Sequence, residues 1–192
     1  MPLSHQLRNF CDSWRGKAAA YSLDDHGDAF DRFFTSYVVF NRLYAEATHR
    51  LARRGAVRLG DSFPDSRAAR DYVIQYCNAA VLTQAWERNP ATAEAIHRIA
   101  EHLRERRFAL KLDPVTGQRR PDKDRVLAAA LESRGRGQRA KGVLEALYAI
   151  RCNMFHGQKD FDVAQLALLR PAILLLEGTI ETLSGELERL DD

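Results

Sequence analysis

Arg151 and His156 stand with four residues between them in the stretch LYAIRCNMFHGQKD, residues 147 to 160. A guanidinium and an imidazole held together can grip a phosphate and move a proton, which is enough chemistry to cut RNA without a metal. Spacing alone does not single this pair out. With 24 arginines and 6 histidines in 192 residues, about two pairs with four to six intervening residues arise by chance, and two occur, the other being Arg42 and His49. Placement separates them. Arg151 lies in line with Leu144, Leu147, Tyr148, Met154 and Phe155, a stripe that belongs in a core or an interface. A charge there is costly unless an anion or a set of carbonyls meets it. A buried acid, or a side chain that snorkels to the surface, would also satisfy it. His156 directly precedes Gly157, where the negative end of a helix favours the imidazolium and a solvent-facing turn suits proton transfer. An ordinary helix-terminal histidine has the same surroundings. Five positions on an ideal helix set two side chains about 140° apart, so the pair converges only if the last turn distorts or a second subunit supplies one partner.

The elements that must position these groups read as helices throughout, with no clean period-two alternation bounded by turns. The fold is expected to be all-α, a single domain over 1–192 with its core at about 28–100 and 138–190. A short helix at about 4–20 precedes the loop SLDDHGD, where Asp24, Asp25 and Asp28 are each plausible caps. A long helix at about 28–54 carries Phe30, Phe33, Phe34, Tyr37 and Val38 at i, i+3, i+4, i+7 and i+8. A third spans about 65–88, and Asn89 and Pro90 start a fourth that fades near Arg107. Residues 113 to 122, DPVTGQRRPD, read as an exposed loop, 123–133 as a helical piece, and SRGRGQ as a break. The helix with the Arg and His covers about 138–156 and stops at Gly157. A last helix at about 162–190 places Leu166, Leu169, Ile173, Leu176, Ile180, Leu183, Leu187 and Leu190 on one seam, with Pro171 expected to kink or restart it.

Composition narrows the class. The net charge of +3 is modest, yet the segment 104 to 141 holds twelve basic residues against five acids, so it is +7 and the rest of the chain −4. Lys159 and the arginines Arg119, Arg120, Arg134, Arg136 and Arg139 are candidates to track a phosphate backbone; a solvated basic loop is the plainer alternative. Cys11, Cys77 and Cys152 are odd in number and widely spaced, which argues for reduced thiols rather than a disulfide framework or a zinc site. No metal or other cofactor is expected, and His97 and His102 are expected at the surface. The start MPLSHQLRNF has no apolar core of a signal peptide and no run approaches a membrane span, so a cytoplasmic protein is the plain reading.

The longer string around Arg151 resembles the signature of HEPN-superfamily proteins, whose active members are metal-independent ribonucleases. Their Arg is often followed closely by a polar residue and, four to six positions on, by His. Arg151, Asn153 and His156 match this pattern, with Gly157 after them, while Cys152 stands next to the Arg where many members have a polar residue. The upstream FDRFFTSYVVFNRLYAEA, 30 to 47, is similar to the aromatic helix of one bacterial branch, so the likeness touches about 30–54 and 143–190.

The resemblance implies an antiparallel helical bundle that forms a homodimer through the motif helices, with two Arg and His sets facing one cleft and RNA as the substrate. His156 would then serve as general base on the ribose 2′-hydroxyl or acid toward the leaving 5′-oxygen. Arg151 would stabilise the phosphorane, and Asn153 would position the phosphate or the imidazole. Asn41, on the stripe of Phe34, Tyr37 and Val38, and Tyr44 are candidates to support the site from behind, or simply to bond neighbouring backbone. A toxin with an antitoxin partner, or a phage-defence effector, is the implied context. Two other readings stay open: a catalytically silent helical module binding nucleotide, RNA or protein, and a structural dimer whose Arg151 is met by an internal acid.

Overall fold

The computed structural model describes residues 2–113, 115–155 and 165–189, and the predicted all-α architecture is what it holds. The helices are α1 (His5–Ala19), α2 (His26–Arg53), α3 (Asp65–Arg67), α4 (Val73–Cys77), α5 (Ala79–Arg88), α6 (Pro90–Arg104), α7 (Pro121–Leu131), α8 (Arg136–Phe155) and α9 (Leu166–Glu188), with a π-helical stretch, Ala68–Tyr72, joining α3 to α4. Among the described residues the only β pairing is one antiparallel bridge, Leu112 to Arg119. No described helix is long and apolar enough to cross a membrane.

α9 is the axis of the assembly, with α2 and α6 packed on it and α5 close by. Leu169, Ile173, Leu176, Ile180, Leu183 and Leu187 of the predicted seam are buried, and each such side chain contributes about 1.5–3 kcal/mol relative to exposure. Pro171 neither ends nor restarts this helix. It is buried inside α9, which runs through it. Gly178 admits Thr92 closely, since a Cβ there would lie 3.2 Å from the Thr92 methyl, and the Trp86 indole donates to the Thr179 hydroxyl at 3.2 Å.

α2 begins where Asp25 accepts from the Asp28 amide at 2.9 Å. Its inward line differs from the one the sequence predicts by a small rotation. Phe33, Tyr37, Phe40 and Tyr44 are the buried series, packed edge to face at Tyr37–Phe40 (5.5 Å, 81°) and Phe40–Tyr44 (5.2 Å, 75°). Such pairs add about 0.5–1.5 kcal/mol each beyond area burial. Phe30, Phe34 and Val38 are only half-buried and Asn41 is exposed, because α1, α9 and the π-helical stretch meet the neighbouring side of α2.

The single helix expected over 65–88 is interrupted at Asn78, whose φ of 70° leaves the helical region. Its side-chain oxygen accepts from the Ala80 amide at 2.9 Å and starts α5. Asparagine is among the few residues that take positive φ at modest cost, so the chain turns there without a glycine. The loop expected at 113–122 is a tight hairpin. Asp113 N–H donates to the Gln118 carbonyl (2.8 Å), Arg120 N–H donates to Lys111 (2.8 Å), and Gly117 supplies φ +68°. α8 also starts earlier than expected, at Arg136, because the Arg139 Nε donates to the Ser133 carbonyl at 2.9 Å and the Gly135 amide donates to the Ser133 hydroxyl at 3.1 Å, which closes the preceding turn. His102, expected at the surface, is buried with its ring edge-on to Phe108 at 5.3 Å; His97 is exposed.

Candidate functional site

α8 places Arg151 beside Asp65 of α3 and over the rings of Tyr37 of α2 and of its own Tyr148. The Arg151 side chain is 22% exposed, and its Nη1 lies 3.8 Å from Oδ2 of Asp65. That distance makes an ion pair rather than a hydrogen bond. Asp65 sits at the first position of α3, directly after Pro64. Its carboxylate is held from both sides: the Tyr44 hydroxyl donates to Oδ1 and the Tyr148 hydroxyl donates to Oδ2 at 3.3 Å. The Arg151 guanidinium carbon is 5.9 Å from the ring centre of Tyr37 and 5.8 Å from that of Tyr148, both within cation–π range. Arg70 stands 5.5 Å from the same Tyr148 ring. It is anchored by Glu145 and by the Ser66 carbonyl at 2.9 Å.

Burial, with the Asp65 hydrogen bond second, raises the Tyr44 hydroxyl far above the ordinary phenol range. Burial also raises Tyr37, only partly offset by the Arg151 charge, and it raises Tyr148, joined by the neighbouring Cys152 and Asp65. All three therefore stay neutral donors at physiological pH. Burial works against the Arg151 charge, but the Cys152 contact and Asp65 outweigh it and the guanidinium is held more firmly protonated than usual. Tyr37 is 3% exposed, and its hydroxyl has no hydrogen-bond partner among the described residues. A buried hydroxyl in that condition costs roughly 1–3 kcal/mol.

The other residues singled out by sequence fall as follows. Asn153 is buried, and its Nδ2 donates to the Leu110 carbonyl at 3.1 Å. Asp124 accepts from the Leu110 and Lys111 amides at 3.0 and 2.9 Å. Both backbone groups of Leu110 are thus clamped, which seats the base of the basic hairpin against the last turns of α8. Tyr44 stands behind Asp65, while Asn41 faces solvent and takes no part in the cluster. Arg119, Arg120, Arg134 and Arg136 are exposed. Arg139 is instead tied to Glu87 and Ser133. Arg136 and Arg151 lie near opposite ends of α8, about 22 Å apart along its axis at ~1.5 Å per residue, so the arginines of 134–139 do not gather around Arg151. His156, Gly157 and Lys159 lie outside the described residues. Cys11, Cys77 and Cys152 are free thiols, the first two buried.

Sequence reasoning did not find Asp65 or give Tyr37 and Tyr148 any role beyond packing. Asp65 reads as a helix-start residue after a proline, and nothing in the pattern ties it to an arginine 86 positions later. The one available signal was the register of α2, since Tyr37 and Tyr44 share a face at i, i+7. Compared with known proteins, the chain matches no protein-family model, no curated protein and no solved structure.

Proposed function

We propose that this chain is a metal-independent endoribonuclease with a HEPN-like helical bundle, working as a homodimer across the ends of its motif helices. The reaction is transesterification. The ribose 2′-oxygen attacks the adjacent phosphorus as His156 takes its proton, the bond to the 5′-oxygen breaks, and that oxygen leaves with a proton taken from water. The products are a 2′,3′-cyclic phosphate and a 5′-hydroxyl. Arg151 meets the charge that builds on the phosphorane. The observation that supports the reading is the partly exposed Arg151 guanidinium, set over the rings of Tyr37 and Tyr148 and paired with the Asp65 carboxylate at 3.8 Å. Exposed Arg119, Arg120, Arg134 and Arg136 would add phosphate contacts along an RNA. An unrestrained ribonuclease poisons its host, so the setting proposed is a cytoplasmic toxin held by an antitoxin, or a phage-defence effector. Incubation of purified protein with total RNA and a chelator, beside Arg151→Ala and His156→Ala, tests this directly: cleavage by the parent alone is expected, and equal cleavage by all three would refute it.

A second reading is favoured by one observation. Asn153 spends its amide on the Leu110 carbonyl, so the residue assigned to position a phosphate or an imidazole already has a structural task. This suits a catalytically silent module that binds RNA, nucleotide or protein through the surface around Arg151. Binding that survives His156→Ala, with no cleavage under any condition, would select it.

A further inference from the structure

α7 and α8 cross closely because position 142 is glycine. A Cβ there would lie 2.9 Å from the Leu131 amide nitrogen and 3.1 Å from the Ala130 methyl. Beside this contact the two helices part and leave a groove of about 480 Å³, a size within the roughly 300–1,000 Å³ typical of small-molecule sites. Its floor is aliphatic, built from Val126, Leu127, Ala129 and Ala130. Val126 is 67% exposed, an unusual position for a β-branched apolar side chain on a helix rich in charge.

The rim is cationic. Lys111, Lys123 and Lys141 line the groove together with one acid, Glu145. That acid is already spoken for, since it pairs with both Lys111 and Arg70. Burial of its carboxyl is outweighed by these two cations, which hold it below the ordinary range. Lys123 and Lys141 are exposed and have no carboxylate partner among the described residues. An aliphatic trough with two uncompensated ammonium groups at its edge complements a molecule with the opposite arrangement, an apolar chain ending in an anion. Among the described residues that line it the groove offers no aromatic ring for a base to stack on, and Gln138 is the only side-chain amide, so a nucleotide is poorly matched.

We propose that the α7/α8 groove binds a free aliphatic anion of medium chain length, its methylenes on Val126 and the alanines and its carboxylate or phosphate drawn to the lysines of the rim, Lys123 and Lys141. The site is separate from Arg151 and does not depend on cleavage of RNA.

The test is calorimetric titration of the full chain with decanoate below its micellar concentration, beside hexanoate, decanol and decyltrimethylammonium. Decanoate is expected to bind at least about tenfold more tightly than hexanoate, because four further methylenes leave water. The cation is expected not to compete. The double variant Lys123→Glu with Lys141→Glu, both at exposed helical positions and checked by circular dichroism, should weaken decanoate at least about tenfold through reversal of two rim charges. Val126→Asp should do the same from the apolar side. Equal affinity for decanoate and hexanoate would mean an adventitious ion only and overturn the proposal. Unchanged binding in the double variant would overturn it too. So would binding to vesicles of phosphatidylglycerol and phosphatidylcholine with none to monomeric decanoate, since that outcome assigns the groove to a membrane surface.

Discussion

Replacing Asn153 by alanine separates a structural from a catalytic duty for a residue that a motif would assign to chemistry. Its amide donates to a carbonyl in the buried base of the hairpin, at 3.1 Å, and Leu110 itself is 2% exposed. Loss of the bond removes about 1 kcal/mol net, and the Leu110 carbonyl left without its donor adds a further ~1–2 kcal/mol, so Asn153→Ala should cost about 2–3 kcal/mol. Urea unfolding reads this as a lower midpoint at unchanged slope. Asp124 holds the N–H of the same residue, so Asn153→Ala and Asp124→Ala should not add: a double-mutant cycle should show a coupling of at least ~0.5 kcal/mol. Amide exchange at Lys111, whose N–H also donates to Asp124 at 2.9 Å, should quicken in both single variants. A loss of RNA cleavage by Asn153→Ala with stability within ~0.5 kcal/mol of the parent would refute the reasoning and return Asn153 to the reacting centre.

Three more outcomes follow from the same geometry. Gly142→Ala should destabilise by about 1–3 kcal/mol, because its methyl meets the α7 backbone rather than a yielding side chain; thermal unfolding checks it, and an unchanged Tm would contradict the close crossing. Glu145 has a carboxyl held below its ordinary range, so its contribution to stability is complete above the unfolded value of about 4.3 and fades as pH falls through the lower folded value. The Tm advantage of the parent over Glu145→Gln should accordingly shrink below about pH 4, and an advantage that grows on acidification would reverse the sign argued here. Burial pushes the Cys77 thiol up to about 12 and raises Cys11 as well, whereas Cys152 is half-buried. Maleimide at neutral pH should label Cys152 first, as read by mass spectrometry of peptides, and prior labelling of Cys77 would show that α4 opens readily.

How far the sequence carried can be judged from particular helices. α2, α6 and α9 were legible because each has a strong local signature: a broad apolar face, an Asn-Pro start, a leucine seam at spacings of three and four. The break at Asn78 was not, since one residue in positive φ leaves the apolar periodicity on either side intact. The fine rotation of α2 was also hidden. Which of two adjacent aromatic stripes turns inward depends on where α1, α9 and the π-helical stretch lie, a tertiary fact with no local trace. At the site, Arg151 stood out because a charge on an apolar stripe is anomalous. Asp65 and the tyrosines that hold it did not, since helix-start acids and buried aromatics are common and their meeting depends on chain segments far apart in sequence.

The central claim is that Arg151 and His156 act on one phosphate as a unit. Single-turnover cleavage of a defined RNA oligonucleotide in the presence of chelator should be measured for the parent, Arg151→Ala, His156→Ala and the double variant. Groups that serve one transition state lose their effects together, so each single change is predicted to slow release of the 2′,3′-cyclic phosphate product by at least about a hundredfold, with the double variant no slower than the worse single one. Rates that fall multiplicatively in the double variant, or that stay at the parent level in either single one, would contradict it.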